Sequence, residues 1–244
     1  MDKDNDINEP FLHYKEDDEQ NEEIEREIAQ KIREGFVVKV FGIIAYQIFL
    51  TSLIIALGFL SSTFGNLLLN SALIYIICVI VFFACLLAPL CYPKMYRTVP
   101  TNYISLTIFT LSFGWVVASK VCQYSASHVM TVLFLTLAMI ITLIIYALKA
   151  DKDITTAGGV LFVCLVLLIV CSLLCIFFNV AILYIILYFL SLILLSAYLI
   201  YDIQLLIGKR NMKYSEDDYI LAAIQIYLDI INIFKFLLEL FNKK

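Results

Sequence analysis

The chain has 244 residues, 62% of them apolar and 16% charged, with a formal net charge of −4. Soluble domains run nearer to about 45–50% apolar and about 25% charged, so an ordinary globular protein is excluded. Eight glycines and four prolines also exclude a collagen-like or low-complexity chain, which leaves a polytopic membrane protein with one helical domain.

Residues 1–34 hold thirteen Asp/Glu and five Lys/Arg, so an acidic segment precedes a mildly basic remainder. A run such as Glu16-Asp17-Asp18-Glu19 offers too little apolar surface to offset the entropy of ordering. The expectation for 1–34 is a disordered cytosolic tail, followed over 35–244 by the transmembrane domain. A helix needs about 20 apolar residues to cross roughly 30 Å of hydrocarbon. Seven segments qualify: 37–60, 71–92, 101–119, 127–148, 156–178, 181–207 and 219–241. Their continuous apolar character predicts helices rather than a barrel, and short connections imply antiparallel neighbours. Lys31, Arg33 and Lys39 flank the first segment, Lys94 and Arg97 follow the second, Lys149 and Lys152 the fourth, and Lys209, Arg210 and Lys213 the sixth. On the other side only Lys120 precedes the C-terminal end, so the positive-inside bias places the N-terminus in the cytosol. The cysteines form no C-x-x-C pair, and neither a zinc site nor a disulfide frame is indicated.

Ionisable groups inside a membrane helix are costly, and each is a functional hypothesis. Asp202, in Leu199-Ile200-Tyr201-Asp202-Ile203-Gln204, lies late in the sixth segment, and Asp229 lies near the middle of the seventh. Ser215 with Asp218 fits a capping box that starts the seventh helix near Glu216 or Asp217. Asp229 is then roughly 18–20 Å along its helix from that connection. Asp202 is roughly 9 Å from it if the sixth helix ends at Gly208, and roughly 12–15 Å if the helix continues through Arg210 or Met212. On these depths the two carboxyls can be adjacent but need not be. Gln225, Asp229 and Asn232 recur at i, i+4 and i+7, a polar stripe that should face the bundle interior or a water-filled cavity. Gln225 and Asn232 are read either as the polar wall of an ion path or as interhelical hydrogen-bond partners. Lys235 reads as snorkelling towards the interface, with Glu239 as its i, i+4 partner.

If the carboxyls meet, both cannot ionise cheaply in a low dielectric, and one proton is shared. Protonation lets the helices close. Deprotonation leaves a doubly negative site that repels, hydrates and attracts a hard cation such as Ca²⁺. The reading is a pH-sensitive cation path, with Asp202 and Asp229 as proton sensor and transient Ca²⁺ ligands and with no cofactor. Enzyme classes find little support. An intramembrane aspartyl protease needs a Gly-x-Gly-Asp segment, whereas Asp229 follows Ile226-Tyr227-Leu228. Serine and zinc membrane hydrolases need histidines, and the chain has only His13 and His128. No phosphate loop, dinucleotide fingerprint or basic–aromatic nucleic-acid patch is present, so the bilayer, Ca²⁺ and protons are the expected partners.

These residues also carry a resemblance. The run Tyr201-Asp202-Ile203-Gln204-Leu205-Leu206-Ile207-Gly208, then Asp218-Tyr219-Ile220-Leu221-Ala222-Ala223, then Tyr227-Leu228-Asp229-Ile230-Ile231-Asn232-Ile233-Phe234 closely resembles the Bax-inhibitor/lifeguard family. Phe36-Val37-Val38-Lys39-Val40-Phe41-Gly42 with Gln47 and Thr51, and Pro100-x-Asn102 followed by Phe109-Thr110, are similar to it as well. The resemblance spans residues 33–243. It implies a seven-helix bundle with six helices around the C-terminal one, and a pH-sensitive calcium leak with Asp202 and Asp229 as the paired aspartates. It also implies residence in the endoplasmic reticulum, Golgi or plasma membrane and a link to suppression of cell death. Bacterial relatives latch the pair with an arginine near the end of helix two, a role that Arg97 or Lys94 would fill here from the loop after Pro93. Many members carry an acidic residue shortly after the helix-three Phe-Thr, where this chain has Leu111-Ser112-Phe113. The rival reading is a non-conducting scaffold that acts through other membrane proteins, with the aspartate pair locking the bundle.

Overall fold

A computed structural model describes residues 8–150, 154–178, 181–208 and 215–241. Its helices are α1 (Asn8–Leu60), α2 (Ser62–Asn70), α3 (Ala72–Cys91), α4 (Thr101–Val121), α5 (Ala126–Lys149), α6 (Gly158–Phe178), α7 (Ala181–Ile207) and α8 (Tyr219–Leu240). No strand occurs among the described residues. All but α2 are long and apolar enough to cross a membrane, giving seven spans. From the second span onward the helix ends fall within two residues of those expected.

The first span differs. The backbone is helical from Asn8 and runs unbroken into the membrane segment, where a disordered tail to residue 34 was the expectation. Strong helix formers dominate this stretch, and neighbours one turn apart bind each other. Arg26 pairs with Glu22 at 3.0 Å and Gln30 donates to Glu34 at 2.9 Å, the i, i+4 contacts that support an exposed helix. The short α2 was not anticipated either. Ser61 caps it by accepting from the Phe64 amide, and Gly65 lets it fold back on α1, since a Cβ there would meet the Gly58 carbonyl oxygen at 2.6 Å.

Two chain breakers have local compensation. Pro89 sits inside α3 and has no N–H for the carbonyl four residues earlier, that of Cys85. The Tyr96 hydroxyl donates to that carbonyl at 2.9 Å from the turn Pro93–Tyr96. At the end of α7, Gly208 adopts φ 76°, the left-handed cap that glycine tolerates. Arg33 of α1 lies against it and donates to the Leu205 carbonyl at 2.7 Å, a cation placed at the negative end of a helix.

Burial is concentrated in two spans. The most apolar stretches of α4 and α8 are each 61% buried, against 6% for α3 and 11% for the α6 span. The last helix packs chiefly on α1, α4, α5 and α7. Phe82, Phe109, Phe113 and Tyr227 stack in the space between α3, α4 and α8. Between α1, α4 and α8 the glue is polar. The Thr51 and Tyr227 hydroxyls lie 2.6 Å apart, Thr51 donates to the Gln47 carbonyl, and Gln47 Nε2 donates to Thr110. Such contacts matter in a bilayer, where burying apolar surface against another helix gains little over burying it in lipid.

Candidate functional site

The helices α7 and α8 run antiparallel. The Tyr188 ring meets Phe236 near one end, and Asp202 meets Asp229 towards the other. The two carboxyl groups face each other closely enough to act on one another, on the wall of one cavity. An ionised carboxylate only accepts, so a hydrogen bond between the two would require a proton on one of them. Asp202 is 7% and Asp229 8% exposed, and Asp229 Oδ2 is buried with no hydrogen-bond partner among the described residues. The pair lines a cavity of about 450 Å³, together with Tyr198, Tyr201, Gln225 and Asn232. Two carboxyls, two phenols and two amides share its wall with Leu165, Leu195, Leu205 and Leu228.

The pair meets for a reason that differs from the depth count. Gly208 stops α7, so Asp202 lies five residues from the helix end, roughly 8 Å. Asp229 lies ten residues into α8, roughly 15 Å. The residues through Met212 that the longer count invoked lie outside the described ones; on the described helices, α8 starts further out than α7 stops. Ser215 and Asp218 do form the reciprocal capping box, but it closes a short turn over Glu216–Asp218 before the α-helix begins at Tyr219.

The other anticipated residues divide. Gln225 and Asn232 share the cavity of the pair. Gln225 is exposed and also borders a second cavity, of about 340 Å³, bounded by Arg97 and Asp218. Asn232 accepts from Lys235 Nζ at 3.4 Å. Neither Arg97 nor Lys94 lines the dyad cavity, so the latch geometry is not formed. The turn Pro93–Tyr96 holds both beyond the end of α3. Lys94 is exposed, and Arg97 Nε donates to Asp218 Oδ1 at 2.8 Å, eleven residues and roughly 16 Å before Asp229. Burial alone would raise the Asp218 carboxyl, but bonds from Arg97 and Ser215 outweigh it and hold it below the usual carboxylate range.

Three features lay outside the sequence reading. Tyr198 and Tyr201 wall the cavity; Tyr198 lies one turn before Asp202, which was the available signal, while Tyr201 directly precedes it. Asp218 is the partner of Arg97. Glu239 pairs with Lys120 Nζ at 2.9 Å rather than with Lys235, because the end of α4 comes alongside α8 and supplies a cation that no local spacing reveals.

A family model described as inhibitor of apoptosis-promoting Bax1 matches residues 33–244, which include both aspartates. The lifeguard 3 protein of Mus musculus is 32% identical over 219 residues, covering 88% of this chain and 71% of that protein. Its Homo sapiens counterpart is 31% identical over 219 residues, covering 88% and 70%. A BI1-like protein of Arabidopsis thaliana is 32% identical over 218 residues, covering 87% and 82%. A match of this extent shows common descent over the whole helical bundle, and the chain belongs to the Bax inhibitor/lifeguard family.

Proposed function

We propose that the protein is a pH-gated Ca²⁺ leak of an endomembrane, the endoplasmic reticulum or Golgi, that contributes to calcium homeostasis and to restraint of cell death. The observation that supports this reading is the buried, facing pair Asp202 and Asp229 on the wall of one cavity between spans. With its shared proton the pair draws α7 and α8 together. Without it, two carboxylates repel, take up water and offer oxygen ligands to a hard cation. Ca²⁺ takes 6–8 oxygens, so a site with two carboxylates binds it transiently and leaves water to complete the shell, as a conducting site requires. The excess of Lys and Arg on one side supports a cytosolic N-terminus.

The test is Ca²⁺ efflux from proteoliposomes of purified protein, scanned from acid to alkaline pH. Asp202→Asn and Asp229→Asn are expected to abolish the pH dependence. Folded wild-type protein that releases no more Ca²⁺ than empty liposomes at any pH overturns the leak. One observation favours the scaffold reading as its rival. Ile24, Ile28 and Ile32 are exposed at successive turns of the projecting part of α1, an apolar stripe on an acidic helix suited to a basic amphipathic partner. Under that reading, removing residues 1–34 abolishes partner binding while the aspartate substitutions leave it unchanged.

A further inference from the structure

Both α1 and α5 pack on α8, yet between them the bundle leaves a slot of about 280 Å³. One wall is a single face of α1 from Ile48 to Phe59, recurring at helical spacing, and the other is a face of α5 from Ala126 to Ile140. Val117 of α4 and Phe234 of α8 contribute to the floor. Phe59 lies beside the end of α1 and Ala126 begins α5, so the slot starts at the membrane edge and runs inward. Eleven residues of α1 make it roughly 16 Å long. No charged side chain lines it. Of its three hydroxyls, Thr51 and Thr136 donate to the Gln47 and Val132 carbonyls, and the exposed Ser52 makes no hydrogen bond among the described residues. The slot shares no lining residue with the dyad cavity.

We infer that this slot is a binding site for one acyl chain of a bilayer phospholipid, whose headgroup stays at the membrane edge beside Phe59 and Ala126. Size selects the occupant. The volume spread over that length gives a mean cross-section of about 17 Å², whereas a helix 10–12 Å across needs roughly 80–110 Å². A partner helix, or a helix of a second copy of this chain, is too wide to enter. At about 30 Å³ for a water-sized group, the slot takes about nine such groups in single file, which is a length of alkyl chain. Chemistry selects the same occupant. A buried water needs two to four polar partners, and a wall without charge and with two of its three hydroxyls already bonded does not supply them. Met130, Leu133 and Leu137 are exposed along the slot and give a chain lateral entry from the bilayer. Once seated, the chain supplies dispersion contacts to four spans whose own side chains leave the space unfilled. The site is independent of the leak reading.

The test places full-length protein in phosphatidylcholine vesicles that contain a phosphatidylcholine with a photoactivatable diazirine on its acyl chain. After illumination, adducts are mapped by peptide mass spectrometry. The α3 and α6 spans, only 6% and 11% buried, report labelling by the surrounding bilayer. Slot residues of α1 and α5 are expected to label several-fold above them. Ala56→Phe, which puts a ring into the slot, should bring slot labelling down to the level of α3 and α6, and Ala126→Leu serves as a second filling variant should the first misfold. Ser52→Ala should label as wild type. Slot labelling no higher than that of α3 and α6, or undiminished in the filling variants, overturns the site. Loss of slot labelling in Ser52→Ala overturns the acyl chain in favour of a ligand held through its hydroxyl. Slot labelling that falls as the protein is concentrated in the vesicles overturns it in favour of a second copy of the chain.

Discussion

Tyr227 and Asp229 sit two residues apart on α8 and face opposite sides of the bundle, and both are buried. On the Tyr227 side, towards α1 and α4, every buried partner is neutral. Hydroxyls and amides of Thr51, Gln47, Thr110 and Tyr227 bind one another or a backbone carbonyl, and aromatic rings fill the remaining space. On the Asp229 side, towards α7, two buried carboxyls face each other beside an open cavity. The same helix thus shows that neutral dipoles suffice to bind spans together. A carboxyl pair, which needs a proton to be held, adds a sensitivity to pH that packing does not require.

The largest expected break falls on the neutral side. Tyr227 is fully buried, and Tyr227→Ala removes a ring packed on Phe109 and Phe113, at a cost of about 3–5 kcal/mol. Thermal unfolding in detergent should show it, and a shift no larger than that of Tyr227→Phe would show that the ring packing counts for little. Asp229→Asn should act in the opposite sense. In acid the asparagine amide can replace the shared proton in bonding Asp202, and stability should match wild type. At alkaline pH, where the wild-type pair has lost its proton, the variant is spared a repulsion of about 1–4 kcal/mol and should melt at a higher temperature. Equal melting curves at alkaline pH would mean that the carboxyls separate freely once charged. Thr51→Val comes next, at about 0.6–1.7 kcal/mol for one interhelical bond in a membrane. Paired with Tyr227→Phe in a double-mutant cycle, it should show coupling, since each variant removes one half of the same 2.6 Å contact.

Much of this contrast was visible in the residues. The spans follow from the length of the apolar runs, and their ends from the Pro, Gly and polar residues between them. Asp202 and Asp229 stood out because charge is expensive at those positions. Their meeting was not derivable, since it depends on where Gly208 turns left-handed and how far α8 reaches past the end of α7. Arg97–Asp218 and Lys120–Glu239 each join residues more than a hundred positions apart, and no local spacing encodes such a partner. Local pairing was underweighted at the N-terminus, where Glu22–Arg26 and Gln30–Glu34 accompany a helix that composition alone argued against.

The smallest effect lies at the membrane edge and sharpens the comparison by separating two sources of pH response. Arg97 and Ser215 depress the Asp218 carboxyl in the folded chain. A depressed acid stabilises the fold above its ordinary range, about pH 4, and that contribution is lost as pH falls through the lowered folded value. The sign is opposite to that of the dyad, whose shared proton is lost as pH rises. Because the Arg97 side chain is 47% exposed, solvent and salt screen the pair and the acid slope it adds is shallow. Asp218→Asn should flatten that slope and leave the alkaline behaviour intact, measured as melting temperature against pH at low salt. Identical acid slopes in the two proteins would mean that the pair stabilises nothing. The same variant should keep the pH profile of Ca²⁺ efflux, since Asp218 sits roughly 16 Å from Asp229; a displaced profile would move the proton sensor from the dyad to the start of α8.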